Sequence, residues 1–411
     1  MKKNFLFLLV CASLLISCTN QKKANEASTT IDIERCMQNT TTLNVSDLGP
    51  TIRYVPLETT DDCLIGKIPI VKVLKRHIVI ESGQHCYLFD KEDGSFISAI
   101  GHVGQDPEAY NSPFSRTDEK EEFLYFTHQP DQLVKYDMKG NFAGKIAFSS
   151  QSESASCYLF TDSEIIGYYN GLNPRDYVLA VFDKEGILQD TIPALLPKTD
   201  ELFADILNIS VTKGTDTYGN WTKTGAIIID YKNDKRQILA PDATTLWMNN
   251  GNIRFKETFI DTIYTVMNGK LLPYITFNTG KWHWPERERM SKNNNSERVF
   301  IADVSENDRF VFFQCIKGLY SDDRVLYNGL YNKKTGETKL SKYSDAIPDD
   351  LTSFMPFKPL EISTSGEFVS LIEADQITEW LEKHPEAEKN EKLPFLKNFN
   401  EEMNPVIVLV E

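Results

Sequence analysis

The stretch YLFDKEDGSFISAI, residues 87–100, contains two short apolar runs separated by the polar turn DKEDG. Runs of this length that are rich in aromatic and branched residues are typical of β-strands. The glycine accepts the positive φ that a tight hairpin requires. The stretch therefore predicts a β-hairpin.

The same pattern returns along the chain. Three clear copies and two weaker ones are LVKYDMKGNFAGKIAF from Leu133, LAVFDKEGILQDTI from Leu179, GLYNKKTGETKLSK from Gly329, IIIDYKNDKRQIL from Ile227 and DTIYTVMNGKLLPYITF from Asp261. Aromatic residues taken as equivalent recur at spacings of 47, 46 and 49 residues, namely Phe89, Tyr136, Phe182 and Tyr231. Near-constant spacing indicates a repeated structural unit.

Further apolar runs precede each copy, such as HIVIES before the first and EEFLYFTH before the second. Four short antiparallel strands in roughly 45 residues are typical of a β-propeller blade. The predicted units are residues 66–100, 113–148, 155–193 and 298–340, while 203–240 and 244–278 are either two blades or one blade with an extension.

The chain ends are predicted to close the ring. PLEISTSGEFVSLIE and NPVIVLVE near the C-terminus would complete the last blade together with TIRYVPLET from Thr51. The count is then six or seven blades. A β-sandwich is the alternative architecture, although two packed sheets need no repeat of fixed length. Helical periodicity is confined to PERERMSKNNN from Pro285 and the segment from Ala374, which we interpret as insertions.

The N-terminus has the pattern of a lipoprotein signal peptide. An apolar run from Phe5 to Ile16 is too short to remain as a membrane-spanning helix, so residues 1–17 are predicted to be a secretory signal peptide. Leu15-Ile16-Ser17-Cys18 resembles the bacterial lipobox, in which cleavage precedes the cysteine. That resemblance implies that Cys18 carries a lipid anchor, and an ordinary signal peptide is the alternative.

Residues 19–31 are small and polar, which predicts a flexible tether over residues 18–45 ahead of a propeller domain over residues 46–411. No Asp follows Cys18, so the inner-membrane retention signal of some Gram-negative bacteria is absent. The predicted location is therefore the outer membrane, with the domain on either side of it.

Charge and cysteine usage exclude some classes of function. Removal of residues 1–17 takes away two lysines and no acids, so the formal net charge goes from −15 to −17. A chain this acidic, with no long basic run, is predicted not to bind nucleic acid. Five cysteines besides Cys11 and Cys18 have irregular spacing, which favours buried free thiols, although one bridge such as Cys36 to Cys63 stays open.

Several stretches resemble a known family. IRYVPLET, YLFDKEDGSFISAIGHVGQDPEAY and the C-terminal NPVIVLV are similar to the six-bladed β-propeller lipoproteins of Gram-negative gut bacteria, described largely as a domain of unknown function. The resemblance implies six blades. The loop after the first blade often reads G-x-x-G-x-G-P-x-E-Y in that family, and this chain has Asp106 and Ala109 at the third glycine and the glutamate.

Two loops are candidate ligand-binding sites, because loops at one mouth of the channel carry function in propellers. GHVGQDPEAY offers His102, Asp106 and Tyr110, and a purely structural link between blades is the alternative. GKWHWPER offers Trp282, His283 and Trp284. Because alternate residues of a strand point to opposite sides, these three are predicted not to face a core together, so at least one ring should be exposed or lie on an interface. Packing against the adjacent insertion from Pro285 is the alternative.

No catalytic motif is present. The six histidines lack H-x-x-x-H and H-E-x-x-H spacing, and no G-x-S-x-G occurs. No cofactor is therefore predicted, although Ca²⁺ stays open because oxygen ligands from several blades leave no linear motif. We expect a lipid-anchored binding module for a glycan, a peptide or an envelope protein. A calcium-assisted hydrolase or lyase at the channel mouth is the alternative.

Overall fold

The computed structural model describes residues 28–67, 69–148, 155–169, 176–195, 205–212, 226–239, 245–285, 288, 297–319, 321 and 323–411. The predicted signal peptide, Cys18 and most of the predicted insertion after Pro285 lie outside these residues. No helix in these ranges is long and apolar enough to cross a membrane.

The first half of the chain forms three four-stranded antiparallel blades, each built in sequence order from the channel outward. Blade 1 contains β3 (Ile70–Val73), β4 (His77–Ser82), β5 (His85–Asp90) and β6 (Phe96–Ala99). Blade 2 contains β7 (Ser115–Thr117), β8 (Phe123–His128), β9 (Gln132–Asp137) and β10 (Phe142–Ala147). Blade 3 contains β11 (Cys157–Phe160), β12 (Ile165–Tyr168), β13 (Tyr177–Phe182) and β14 (Leu188–Pro193).

The second half forms three more blades, two of which include strands from the N-terminal segment. Blade 4 contains β18 (Leu246–Asn249), β19 (Asn252–Phe255), β20 (Thr262–Met267), β21 (Lys270–Asn278) and β1 (Thr29–Asp32). Blade 5 contains β22 (Val299–Glu306), β23 (Phe310–Lys317), β24 (Val325–Asn332) and β25 (Thr338–Lys342). Blade 6 contains β26 (Glu361–Ile362), β27 (Phe368–Ile372), β28 (Val406–Val410) and β2 (Ile52–Pro56).

Six apolar layers close the ring, one between each pair of neighbouring blades. Blade 1 packs on blade 2 and blade 2 on blade 3. Blade 3 packs on blade 4, blade 4 on blade 5 and blade 5 on blade 6. The sixth layer joins blade 6 back to blade 1. Each blade thus buries both faces, which a single sheet cannot do alone. The protein is a six-bladed β-propeller.

Residues between blades 3 and 4 form a separate three-stranded sheet of β15 (Ile206–Thr212), β16 (Ala226–Tyr231) and β17 (Arg236–Leu239). Among the described residues, Tyr231 and Ile229 form an apolar cluster with Ile206 and Ile227 of this sheet. Tyr168 of blade 3 meets Phe255 of blade 4 directly, with ring centroids 5.8 Å apart. The alignment of Tyr231 with the blade aromatics is therefore wrong, and the interpretation of residues 203–240 as an extension is confirmed.

The hairpin pattern that predicted the repeat lies between the third and fourth strands of the blades. Asp90, Asp137, Asp183 and Asn332 end the third strands, and each side chain accepts a hydrogen bond from the backbone N–H two residues later, at 2.7 to 3.1 Å. This Asx interaction starts the turn. A glycine three or four residues after the Asx has a positive φ, 75° at Gly94 for example.

The N-terminal segment is ordered earlier than predicted, so the tether prediction for residues 18–45 is wrong from Thr29 onward. β1 adds in parallel to β21, with Thr29 opposite Ile275. The short helices α1 (Ile33–Gln38) and α2 (Val45–Leu48) follow. The apolar side chains between β1 and Leu48 are fully buried against blades 4 to 6, which accounts for the order: Ile31, Ile33, Leu43, Val45 and Leu48.

The predicted ring closure is confirmed, since β2 pairs with β28 over its whole length from Ile52 opposite Val410 to Pro56 opposite Val406. The predicted helical insertion contains α3 (Ala374–Lys383) and 3-10 turns at Pro385–Lys389 and Pro394–Leu396. Its buried residues join the layer between blades 5 and 6.

The five cysteines from Cys36 to Cys315 are free thiols. Four are buried, and Cys157 is half-buried. The expectation of buried free thiols is confirmed for those four, and no bridge joins Cys36 to Cys63.

Candidate functional site

The two faces of the propeller differ in the length of their connections. On one face, which we call the short-turn face, the turns between first and second strands and between third and fourth strands have two to five residues, from Asn250–Gly251 to Lys91–Ser95. Among the described residues, the longer connections between successive strands of the ring lie on the opposite face, which we call the long-loop face, except residues 33–51, which cross from the end of β1 on that face to the start of β2 on the short-turn face. The long-loop face carries the helical insertion of blade 6, the β15–β17 sheet and both loops predicted as sites. Functional residues concentrate on such loops when a rigid scaffold holds them.

The loop of residues 101–110 folds back on itself. The N–H of Tyr110 donates to the carbonyl of His102 at 3.0 Å. The exposed side chains of His102 and Asp106 pair at 2.6 Å, and Asp106 also accepts from the N–H groups of Glu108 and Ala109. The hydrogen bond from His102 lowers the pKa of Asp106. The pair is accessible to a ligand from solvent.

Tyr110 is a core residue and not a surface ligand. Its side chain is fully buried, stacks on Phe126 with centroids 4.3 Å apart, and donates to the carbonyl of Ile100 at 2.8 Å. Gly101 has φ 56°, and a Cβ there would lie 2.5 Å from the ring of Tyr136. Gly101 and Tyr110 therefore have the structural role of linking the blades, while His102 and Asp106 stay accessible.

The aromatic loop of residues 280–285 is not a strand, so the alternation argument does not apply. A 3-10 helix covers Gly280–Trp282. Trp284 is buried and meets Phe259 edge to face at 5.2 Å. Trp282 is half-buried, with the ammonium groups of Lys281 and Lys317 at 4.7 and 5.3 Å from its ring centroid. The lysines occupy positions at the ring that a stacked sugar would need.

His283 is the accessible residue of this loop. Its Nδ1 lies 3.1 Å from Oδ2 of Asp261, a residue of the loop between β19 and β20. The hydrogen bond to Asp261 raises the pKa of His283, and partial burial opposes that change. Burial lowers the pKa of Lys256 to about 8, and the nearby Asp261 carboxylate opposes that change. Lys256 donates to the carbonyl of Ile301 at 3.1 Å, which ties blade 4 to blade 5.

A buried charged cluster between the inner strands of blades 1 and 2 contains residues that the sequence analysis did not single out. Glu81 of β4 has a side chain only 1% exposed, and its Oε1 accepts from the N–H and hydroxyl of Ser115, both at 2.7 Å, and pairs with Lys72. Burial lowers the pKa of Lys72, and Glu81 opposes that change. Oε2 of Glu81 has no hydrogen-bond partner within the described ranges.

Arg116 and Phe114 stand beside this cluster. Phe114 directly precedes β7, the innermost strand of blade 2, and its side chain is 54% exposed. Arg116 is half-buried and donates to the carbonyl of Ser115 at 2.8 Å. Burial lowers the pKa of Arg116, but the nearby Cys157, Glu81 and Glu361 raise it by more, so the pKa is raised overall. Alternation of apolar and polar residues along the innermost strands could have predicted that Phe114 and Arg116 face the same side. Because β7 has only three residues, that alternation is a weak signal.

The six predicted site residues are thus divided. His102 and Asp106 form one accessible pair, His283 joins Asp261 in a second, Tyr110 and Trp284 belong to the interior, and Trp282 is half-buried. Within the described residues, no group of three or more His, Cys, Asp or Glu side chains is arranged to hold a metal ion.

Comparisons with known proteins give the family and the fold. The family model described as Domain of unknown function (DUF4934) matches residues 28–411, so the chain belongs to this family. The fold is similar to that of a Bacteroides fragilis protein named as exported, with TM-score 0.64, 16% identity, and coverage of 93% of this chain and 99% of that chain. At this identity the likeness shows the fold alone.

Weaker structural likenesses carry no functional argument. The WD40 repeats of RRP9 match with TM-score 0.41 and 10% identity, over 90% of this chain and 99% of that chain. BamB from Moraxella catarrhalis matches with TM-score 0.34 and 12% identity, over 78% and 75%. A search of curated sequences found no match.

Proposed function

We propose that this member of the DUF4934 family is a lipid-anchored binding protein of the cell envelope, and that it binds a glycan, a peptide or an envelope protein through its long-loop face. The observation that carries the proposal is the division between the two faces. Among the described residues, most long connections lie on one side of the ring, while the turns between first and second and between third and fourth strands on the other side have two to five residues; only residues 33–51 cross between the two faces.

The entry of the N-terminal segment supports this orientation. β1 runs parallel to β21, which starts at Lys270 beside the short-turn face and ends at Asn278 beside the long-loop face. The first residue of β1, Thr29, is therefore the end of that strand nearer the short-turn face. An anchor at Cys18, eleven residues earlier, would hold the short-turn face toward the membrane and present the long-loop face away from it. A structural relative that is named as exported fits this arrangement.

The anchor has a direct test. We expect full-length protein produced in a Gram-negative host to fractionate with outer membranes and to require detergent for release. The Cys18→Ser variant should appear in the soluble envelope fraction with the same fold. Release of wild-type protein by salt alone would contradict the anchor.

The binding face is tested by site-specific photo-cross-linking in cells that produce the protein. Cross-linking residues at Phe114 and Lys281 sample the long-loop face, and matched residues at Arg76 and Lys139 sample the short-turn face. We expect a discrete adduct from the first pair and none from the second. Adducts from the short-turn positions alone, or none from any position, would overturn the proposal.

A further inference from the structure

Phe114 and Arg116 share one side of the chain at the channel mouth. Successive residues of a strand point to opposite sides, and here Pro113 and Ser115 are buried while Phe114 and Arg116 are not. Phe114 lies at the rim. Arg116 lies two residues deeper, about 7 Å along the strand. The aromatic ring of Phe114 therefore lies nearer the rim, and the guanidinium of Arg116 lies deeper on the same side of the strand.

Arg116 has donors to spare. A guanidinium carries five N–H donors in a planar fork. One goes to the carbonyl of Ser115, and the thiol of Cys157 takes a further contact. Within the described residues no carboxylate lies within ion-pair distance of Arg116. Lys72, the cation of the adjacent buried cluster, is instead matched by Glu81.

The backbone next to Arg116 is held in place by Ser115. Both the N–H and the hydroxyl of Ser115 bind the same oxygen of the buried Glu81, which pins the start of β7 to blade 1. A preorganised donor loses less conformational entropy on binding than a mobile one.

The chemistry of the two residues selects a class of ligand. The guanidinium fork matches a carboxylate through two parallel hydrogen bonds. The exposed ring of Phe114 offers apolar contact to a group next to that carboxylate. Glu81 and Glu361 act electrostatically on Arg116, so a singly charged anion suits the site better than a dianion such as phosphate.

We propose that the channel mouth at Phe114 and Arg116 binds a carboxylate carried by an apolar group, as at the C-terminal residue of a peptide. The inference rests on the proposed function, because it assigns a peptide end as the ligand of the long-loop face. Arg116 receives the carboxylate and Phe114 the apolar side chain.

The test compares N-acetyl-phenylalanine with its neutral amide by ligand-observed NMR titration of the intact propeller. We expect the acid to bind at least about tenfold more tightly than the amide. Arg116→Gln should abolish that difference, and Arg116→Lys should retain part of it, because it keeps the charge but not the fork. Phe114→Ala should weaken both probes several-fold.

The matched control is Arg76→Gln, which removes the same charge from an exposed arginine on the short-turn face. It should leave both affinities unchanged. Equal binding of acid and amide, equal loss in Arg76→Gln, inorganic phosphate binding as tightly as the acid, or no binding of the acid at about 10 mM would each overturn the inference.

Thermal unfolding of each variant shows whether the fold is retained, and Arg116→Lys serves if Arg116→Gln does not fold. If the carboxylate site fails while cross-linking from Phe114 and Lys281 still captures a partner, the proposed function stands and only this assignment is lost.

Discussion

The loops of residues 101–110 and 280–285 are built alike but connected differently. Each starts at a glycine of positive φ, buries one large aromatic side chain and exposes a histidine paired with an aspartate. In the first loop the pair is local, four residues apart. In the second loop His283 reaches Asp261, 22 residues away and on another loop. The comparison shows that an aromatic-rich loop can be held by its core side chain while the histidine stays available.

The largest effects should come from the buried aromatic anchors. Tyr110→Ala and Trp284→Ala are each expected to lower the free energy of unfolding by about 3 to 5 kcal/mol. Tyr110→Phe removes only the hydrogen bond to Ile100 and should cost about 1 kcal/mol. Urea denaturation measures all three. A cost below that of Tyr110→Phe for either alanine variant would show that its loop is not anchored by the ring.

The glycines that start the two loops differ in what surrounds them. Gly101→Ala meets the ring of Tyr136, whereas Gly280→Ala meets chiefly the carboxylate end of Glu34, a flexible side chain. In both variants alanine must also adopt a positive φ, which costs about 1 kcal/mol of stability. We expect Gly101→Ala to cost about 2 to 3 kcal/mol and Gly280→Ala about half as much. Equal unfolding midpoints in urea would contradict the difference in surroundings.

The pKa of His283 in the second loop should depend on Asp261. The pKa of His283 is raised, so the stabilisation it provides is fully present below the ordinary histidine pKa and is lost as pH rises through the folded value. Because the side chain is 58% exposed, the effect on stability should stay below about 1 kcal/mol. In Asp261→Asn the NMR-measured pKa of His283 should fall. An unchanged value would show that Asp261 does not control it.

The smallest effect is expected at Trp282. The ring is half-buried and makes cation–π contacts with Lys281 and Lys317. Trp282→Phe keeps an aromatic ring and should change the free energy of unfolding by less than about 1 kcal/mol. Lys317→Met is the matched change on the cation side. A loss as large as that of Trp284→Ala would mean that Trp282 is a second anchor of the loop.

The repeat was readable from the sequence because the hairpin between the third and fourth strands repeats its own chemistry, with an Asx at the strand end and a glycine in the turn. The inserted sheet was aligned with the blades because its hairpin around Asn233 uses the same local turn rules. Local rules specify a hairpin and not the sheet it joins. That Tyr231 belongs to a separate three-stranded sheet became visible only in three dimensions.

The candidate sites show the same limit. The pair of His102 and Asp106 is close in sequence and was among the predicted residues. The partner of His283, and the contact of Glu81 with Ser115, join residues 22 and 34 positions apart in different loops or blades. Burial of Tyr110 and Trp284 depends on those neighbours as well. A single sequence therefore predicted the residue types of the site but not which of them face solvent.

The pairing of β2 with β28 has a consequence for the order of folding. The strand that completes blade 6, β2, is synthesised before every other strand of that blade, and its partner β28 is synthesised after them. Blade 4 likewise takes its fifth strand from residues 29–32. During synthesis β2 has no partner in blade 6 until β28 has been made, so the ring cannot close before then. A chain interrupted before Val406 would leave β2 unpaired, and the protein would expose the layer between blades 6 and 1.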